Sequence, residues 1–456
     1  MGLFDKYETL IHQTETVRSK GQIIRVQGLL LESQGPICKI GECCTIFLPD
    51  GKTAMAEVIG FSEKRVQLMP LTDISGIVPG CEVYAKGSYL EVLVGDELLG
   101  RVLNGVGHPL DGKTLNFYWS KRSVFAEPVG VFDRKIIREK LFVGIRALDG
   151  LLTLGKGQRI GIFSGSGVGK STLLSMIARN TEADVIVIGL IGERRREVQE
   201  FIERDLGPEG LKKAVVVVAT SDDPPLARVR GVYTATTIAE YFRDQGKNVL
   251  LIVDSVTRAS MAQREIGTAL GEIPVSRGYP PSVFTMLPKV LERAGTSKNG
   301  SITGIYNVLV EGGDMDEPIS DAIRGILDGH IVLSRDLAIK NHYPPISVTE
   351  SVSRLMMHVA DDEHLAAASQ IKEWMAAYQE VEDLINIGAY VRGANPTVDQ
   401  AISRLPEIRK FLKQGIHEVT AFPETLTLLD QLVHGRTRTS PLLRTVAAAQ
   451  PAGRVV

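Results

Sequence analysis

The run SGSGVGKST at 164–172 has the residue types and the spacing to hold phosphate. An apolar stretch, RIGIF at 159–163, leads into it, and a helical one, LLSMIARN, leads out. In such a strand–loop–helix setting, glycines let backbone N–H groups turn inward around phosphates, and the helix N-terminus adds its positive dipole end. The cradle is expected from Gly165, Ser166, Gly167, Val168, Gly169, Lys170, Ser171 and Thr172. Lys170 would reach the β- and γ-phosphates of ATP, and the Ser171 hydroxyl would ligate Mg2+. The usual pattern has Gly or Ala six residues before the lysine; Ser164 stands there in this chain and is small enough for the same turn.

Two acids extend this chemistry from binding to hydrolysis. Asp254 closes the apolar run VLLIVD, 84 residues beyond Lys170. A carboxylate at the C-terminal end of a buried parallel strand lies beside such a loop, where it can hold magnesium, usually through water. Glu193 follows VIVIGL in the segment IGERRRE. An acid there can polarise the attacking water provided it faces the γ-phosphate. Arg194, Arg195 and Arg196 read either as a solvated charge run or, for Arg194 above all, as part of the site.

These groups need a sheet to hold them. From about Leu141 the runs RIGIF (159–163), VIVIGL (185–190), AVVVVA (214–219), VLLIVD (249–254) and ITGIYNVLV (302–310) alternate with helical stretches. Continuous apolar strands separated by helices predict an α/β fold with a parallel sheet covered on both faces. Upstream, from about Gly21 to Gly87, short apolar runs broken at Pro49-Asp50-Gly51-Lys52 and Pro79-Gly80 predict a small all-β barrel. The glycine-rich LLGRVLNGVGHPLDG at 98–112 reads as a connection. Residues 351–432 carry Leu, Ile and Ala at helical spacing. At 3–11, Leu3, Phe4, Tyr7, Leu10 and Ile11 share one helical face, which either packs on its own body or docks a partner. The last stretch has four arginines and no acid after Asp430, and reads as a flexible tail.

Composition excludes several classes. A net charge of −2 argues against gripping nucleic acid by bulk electrostatics, which needs a strongly basic footprint. No apolar run approaches the roughly 20 residues that span a bilayer, and MGLFDKYETLIHQ lacks the apolar core of a secretory signal. Cys38, Cys43, Cys44 and Cys81 form no C-x-x-C pair, so reduced thiols in a small domain are expected. The expected location is the cytoplasm, with docking on a membrane-bound machine left open.

Several longer segments carry a family likeness: GRVLNGVGHPLDG (100–112), FSGSGVGKS (163–171), GLIGERRREVQEFI (189–202), LLIVDSVTRASMAQREI (250–266), GYPPSVFTMLPKVLERAG (278–295), ILDGHIVLSR (326–335) and LINIGAYVRGANPTVDQAI (384–402). From about residue 20 to 432 the chain resembles the hexameric rotary-type ATPases of the ATP synthase alpha/beta superfamily. More narrowly it resembles the ATPases of type III secretion, in their flagellar export branch. The stretches after Gly278-Tyr279 and at 384–402 separate it from the catalytic subunit of rotary ATP synthase, and the GSGVGKS loop separates it from the injectisome branch.

The resemblance implies a RecA-like P-loop core between an N-terminal β-barrel and a C-terminal helical domain. The expected divisions are 1–20 (docking helix), 21–95 (barrel), 96–350 (ATPase core), 351–434 (helical domain) and 435–456 (tail). It implies that Arg354, in SVTESVSRL, is an arginine finger entering the neighbouring subunit's site. It implies that Tyr343, in NHYPPI, packs on adenine with Phe422 facing it, although a plain core role stays open for both. Ser347 departs from the acid or Asn usual at its position. The implied partners are five further copies in a hexamer, a regulator or stator protein at the N-terminal helix, a central stalk-like protein, chaperone–substrate complexes and export-gate membrane proteins. No nucleic acid is expected, and the position is peripheral to the inner membrane. An injectisome ATPase, a rotary synthase or pump subunit, a non-enzymatic ring subunit and an RNA-translocating hexamer are the alternatives. Glu193 and Lys170 oppose the third, and the absence of an aromatic-rich RNA-binding module opposes the fourth.

Overall fold

The computed structural model describes residues 19–115 and 120–435. The apolar stripe at 3–11 and the arginine-bearing tail from 436 lie outside the described residues.

Six strands form the N-terminal unit: β1 (Lys20–Gln27), β2 (Leu30–Gln34), β3 (Cys43–Phe47), β4 (Thr53–Ser62), β5 (Arg65–Pro70) and β6 (Glu82–Ala85). They close into a barrel in the order β1-β2-β5-β4-β3-β6, with β6 pairing back onto β1. Period-2 alternation turns Ala54, Ala56 and Val58 of β4 inward with Ile23, Leu31, Ile46, Leu68 and Val83. Closure removes the free edges that short strands would otherwise expose. All four cysteines are free thiols, with Cys43, Cys44 and Cys81 buried and Cys38 partly so. Burial pushes the Cys43 thiol up to about 12, so it is unreactive at neutral pH.

The central sheet contains β7 (Val102–Asn104), β8 (Arg159–Ser164), β9 (Val185–Glu193), β10 (Ala214–Thr220), β11 (Asn248–Asp254), β12 (Ser301–Leu309), β13 (Gly329–Leu333) and β14 (Ile346–Ser353). Its order is β14-β13-β8-β12-β11-β9-β10-β7, parallel from β13 to β7, with β14 antiparallel at one edge. All five apolar runs singled out above are strands. The glycine-rich connection is not wholly irregular, because Val102–Asn104 pairs with Val216–Val218 as the far edge of the sheet. Three residues carry too little periodicity to announce a strand, and only the waiting edge of β10 makes them one.

Helices cover both faces. They include the short, fully buried α1 (Arg146–Leu151), α2 (Lys170–Asn180), α3 (Pro225–Asp244) and α4 (Val256–Ala269). The C-terminal unit consists of α5 (Asp362–Asn386), α6 (Pro396–Leu412) and α7 (Phe422–His434). Asp361 and Asn395 cap α5 and α6 by accepting from His364 N and from Thr397 and Val398 N, as short polar side chains do at helix starts. Arg146 joins this unit to the core, its Nε donating to the Phe411 carbonyl at 2.7 Å and its N–H to Gln414 Oε1 at 3.0 Å. No helix among the described residues is long and apolar enough to cross a membrane.

Candidate nucleotide site

Parallel α/β sheets bind ligands outside the carboxyl ends of their strands, where loops and helix N-termini converge. Here β8 ends in Ser164 and the chain turns through 165–169 into α2. Gly169 caps α2 at φ +99°, a left-handed conformation that L side chains rarely adopt. A Cβ there would lie 3.6 Å from the Tyr343 ring, an ordinary contact that places the ring beside the loop, so it is the left-handed φ that calls for glycine. Ser166, Gly167 and Ser171 are exposed, whereas Val168 is buried and anchors the loop from below.

Three charges meet beneath the loop. Lys170 Nζ donates to Asp254 Oδ1 at 2.8 Å and to Glu193 Oε1 at 3.3 Å. Asp254 ends β11 and Glu193 ends β9, so neighbouring strands deliver both acids to the same crest. Both are buried. Burial pushes the Glu193 carboxyl above its ordinary range, against the opposing pull of Lys170. Burial likewise pushes Asp254 up, with Lys170 pulling back. For Lys170 burial acts downward, but the attraction of Asp254 and Glu193 outweighs it and the ammonium is held more firmly than usual. An exposed hydroxyl and a buried carboxylate are hard oxygen donors, the set that suits Mg2+ when substrate phosphates supply the rest. Ser171 and Asp254 therefore fit the metal expected of them.

Four further groups belong to this constellation, and spacing alone had assigned none of them a role. Asn307, buried on β12 between β8 and β11, donates Nδ2–H to Asp254 Oδ1 at 2.8 Å. Arg258, in the first turn of α4, places Nε 3.3 Å from Glu193 Oε1. Gly192 makes that approach feasible, since a Cβ there would stand 2.7 Å from the Arg258 Cβ. Arg335 Nη2 reaches the Ser166 carbonyl at 3.4 Å. Gln414 N donates to the Tyr343 carbonyl at 2.8 Å, which ties the backbone of that residue to the segment between α6 and α7. A signal existed for Arg258 alone, which stands four residues after Asp254 in a helix following its strand.

The remaining expected residues fall in three places. Tyr343 is 43% exposed beside the loop. Arg194 points outward, paired with Glu197 at 3.6 Å across one turn. Phe422 is buried: its ring stacks on Phe142 with centroids 4.0 Å apart, lies 5.9 Å from the His364 ring and carries Lys140 Nζ 5.0 Å from its centroid, which favours the core alternative over a contact with adenine.

Arg354 lies elsewhere. It follows β14, and its N–H donates to the Asp328 carbonyl at 3.1 Å. The Asp328 carboxylate in turn holds Arg159, the first residue of β8, at 3.0 Å. The phosphate loop follows the last residue of that strand, Ser164. At about 3.3 Å per residue the two ends are roughly 17 Å apart. Arg354 is exposed and cannot reach its own Lys170.

Comparison with known proteins agrees with this fold. The profile of the ATP synthase alpha/beta family, nucleotide-binding domain, matches residues 144–353. The beta-barrel domain of that family matches 23–87, and the T3SS EscN ATPase C-terminal domain matches 360–431. The flagellum-specific ATP synthase of Bacillus subtilis is 53% identical over 92% of this chain and 97% of its own length. That of Treponema pallidum is 54% identical over 94% and 96%. The assembled ATPase EscN from the type III secretion system of enteropathogenic E. coli superposes with a TM-score of 0.85 at 47% identity, over 91% of this chain and 100% of EscN. EscN is also known in complex with its central stalk EscO, at a TM-score of 0.84. The chain belongs to the ATP synthase alpha/beta family, in the branch of the flagellar and type III secretion ATPases, and is an ATPase.

Proposed function

We propose that this protein hydrolyses Mg-ATP at the subunit interfaces of a homo-hexameric ring and so energises flagellar type III protein export. One observation carries the reading: the arginine expected to act as a finger, Arg354, stands at the other end of a sheet strand from the phosphate loop of its own chain. Lys170, Asp254 and Glu193 stand at one end of the sheet, and Arg354 at the other, roughly 17 Å of strand away. Only a second copy brings the two ends together.

The loop N–H groups from Gly165 to Thr172 and the Lys170 ammonium bind the phosphates, so Lys170 exchanges carboxylates for phosphate oxygens. That exchange frees Glu193, whose burial-raised proton affinity suits it to accept a proton from the attacking water. Arg354 from the next copy meets the negative charge that develops on the transferring phosphoryl group. The Tyr343 ring offers a face for adenine, and Arg194 is a rim charge that bound phosphate draws from Glu197. Magnesium, held by the Ser171 hydroxyl and the Asp254 carboxylate, would neutralise phosphate charge.

The flagellum-specific relatives span 43–54% identity and the type 3 secretion relatives of similar coverage stand at 46–47%, so the flagellar branch is supported by its members of higher identity. The loop between α5 and α6 exposes Ile387 and Val391, which suits a central stalk protein of the EscO kind. Motion of the C-terminal unit would unload chaperone-bound substrates towards export-gate membrane proteins, with a regulator held at the N-terminal helix and the ring in the cytoplasm, peripheral to the inner membrane. Gene deletion, complemented by wild type or by Glu193→Ala, tests this through motility and secretion of hook and filament proteins. Loss of flagella rescued only by wild type is expected. Intact flagella would favour an injectisome role, and normal secretion of every type III substrate a rotary-pump role.

A further inference from the structure

Val131, Phe132 and Ile136 are 82%, 101% and 78% exposed, and Phe132 is the most exposed large apolar side chain among the described residues. The backbone that carries them is tied down. Arg134 donates to the carbonyls of Ala294 at 3.0 Å and Val129 at 3.4 Å, and also to that of Glu292. Thr296 Oγ1 donates to the Lys135 carbonyl at 2.5 Å, and Asp133 pairs with Lys298 at 2.6 Å. A segment fixed at so many points, with its apolar side chains turned to water, holds a surface ready for a partner.

Its position selects the partner. Arg134 stands 4.0 Å from the Glu292 carboxylate, Glu292 pairs with Arg159 at 2.5 Å, and Arg159 pairs with Asp328 at 3.0 Å. The Asp328 carbonyl then accepts from Arg354 N at 3.1 Å. The apolar patch and Arg354 are thus mounted on one ion-paired frame at the amino-terminal edge of the sheet. A different protein seated there would stand where Arg354 needs a neighbour's phosphate loop.

We propose that Val131, Phe132 and Ile136 form the apolar contact by which one copy of this chain seats on the next, and that this contact sets Arg354 in the neighbour's nucleotide site. The proposal rests on the ring reading above. A phenylalanine hides on the order of 150–250 Å² when covered, so losing it from every interface of a closed ring is felt as a large change in assembly.

The test compares wild type, Phe132→Asp, Val131→Asp, Phe132→Leu and Arg354→Ala by sedimentation velocity, by ATPase rate against protein concentration, and by binding of a fluorescent ATP analogue. Phe132→Asp and Val131→Asp are expected to keep the wild-type melting temperature and analogue affinity. The concentration giving half-maximal specific activity should rise about tenfold or more, the equivalent of ~1.4 kcal/mol. Phe132→Leu should restore most of it. Assembly and activity of both Asp variants at wild-type concentrations, with Arg354→Ala inactive, would overturn the contact and leave the ring standing. A flat specific activity in wild type, with Arg354→Ala fully active, would remove the ring reading and this contact with it.

Discussion

The barrel–core junction and the nucleotide site both bury charge, yet they partner it in opposite ways. At the junction each cation has its own anion. Arg230 of α3 meets Glu57 of β4 through Nε at 2.8 Å and through a second parallel contact, with Phe125 and Tyr233 rings against its guanidinium at 4.6 and 5.5 Å. Within the core, Arg293 likewise meets Glu240 at 2.9 and 2.5 Å and donates also to Thr237 Oγ1 and the Val124 carbonyl. At the site Lys170 divides itself between Asp254 and Glu193, Arg258 leans on Glu193 at 3.3 Å, and Arg354 lies at the far edge of the sheet. Bidentate, saturated pairs fix a joint. A shared ammonium is one that phosphate can recruit.

The contrast predicts different losses. The largest should follow Arg354→Ala: if the finger completes a neighbour's site, kcat falls roughly 10³–10⁵-fold, as in the best-studied phosphoryl-transfer systems. Thermal unfolding and analogue affinity should stay unchanged. Steady-state kinetics above the assembly concentration measures this, and a drop under tenfold would make Arg354 an ordinary surface charge. Next, Arg230→Met should cost about 3–5 kcal/mol in urea unfolding, because Glu57 is left buried without its cation. The double variant Arg230→Met/Glu57→Leu should regain most of that loss. If it does not, the pair supplies packing rather than charge balance.

Another buried carboxyl sharpens the comparison because, among the described residues, no cation is paired with it. Asp149 of α1 is buried, accepts from Val143 N at 3.0 Å and leaves Oδ2 without a partner. Burial pushes its carboxyl up to about 7. Between its ordinary value of about 4 and 7, the folded chain holds a proton that the unfolded chain has lost. Stability contributed by this group is therefore fully present below about 4, falls as pH rises through that window and is flat above 7. Relative to wild type, Asp149→Asn should gain melting temperature between pH 5 and pH 8. An identical pH dependence in both proteins would mean that Asp149 stays ionised.

The glycine-rich loop, its lysine and the two strand-end acids were legible in the sequence because local rules place them. A phosphate loop is contiguous, and an acid closing a buried apolar strand of a parallel sheet must emerge at the carboxyl crest. The same regularity announced the barrel, the five central strands and the helical C-terminal stretch. For Phe422 the sequence left an adenine contact and a core role both open, because its spacing cannot distinguish an aromatic facing a base from one stacked on Phe142, which lies in a distant part of the chain.

What the sequence determined by itself is the inventory of the site: its donors, its acids and the strand ends that carry them. The tertiary structure decided who touches whom across long separations. Arg258 against Glu193, Asn307 against Asp254 and Glu57 against Arg230 depend on strand order and helix packing, which no local period encodes. It also decided that Arg354 stands at the opposite end of β8 from the phosphate loop, because β14 runs antiparallel to β13 and returns the chain to the amino-terminal edge. On the ring reading proposed above, that reversal keeps each copy from completing its own site.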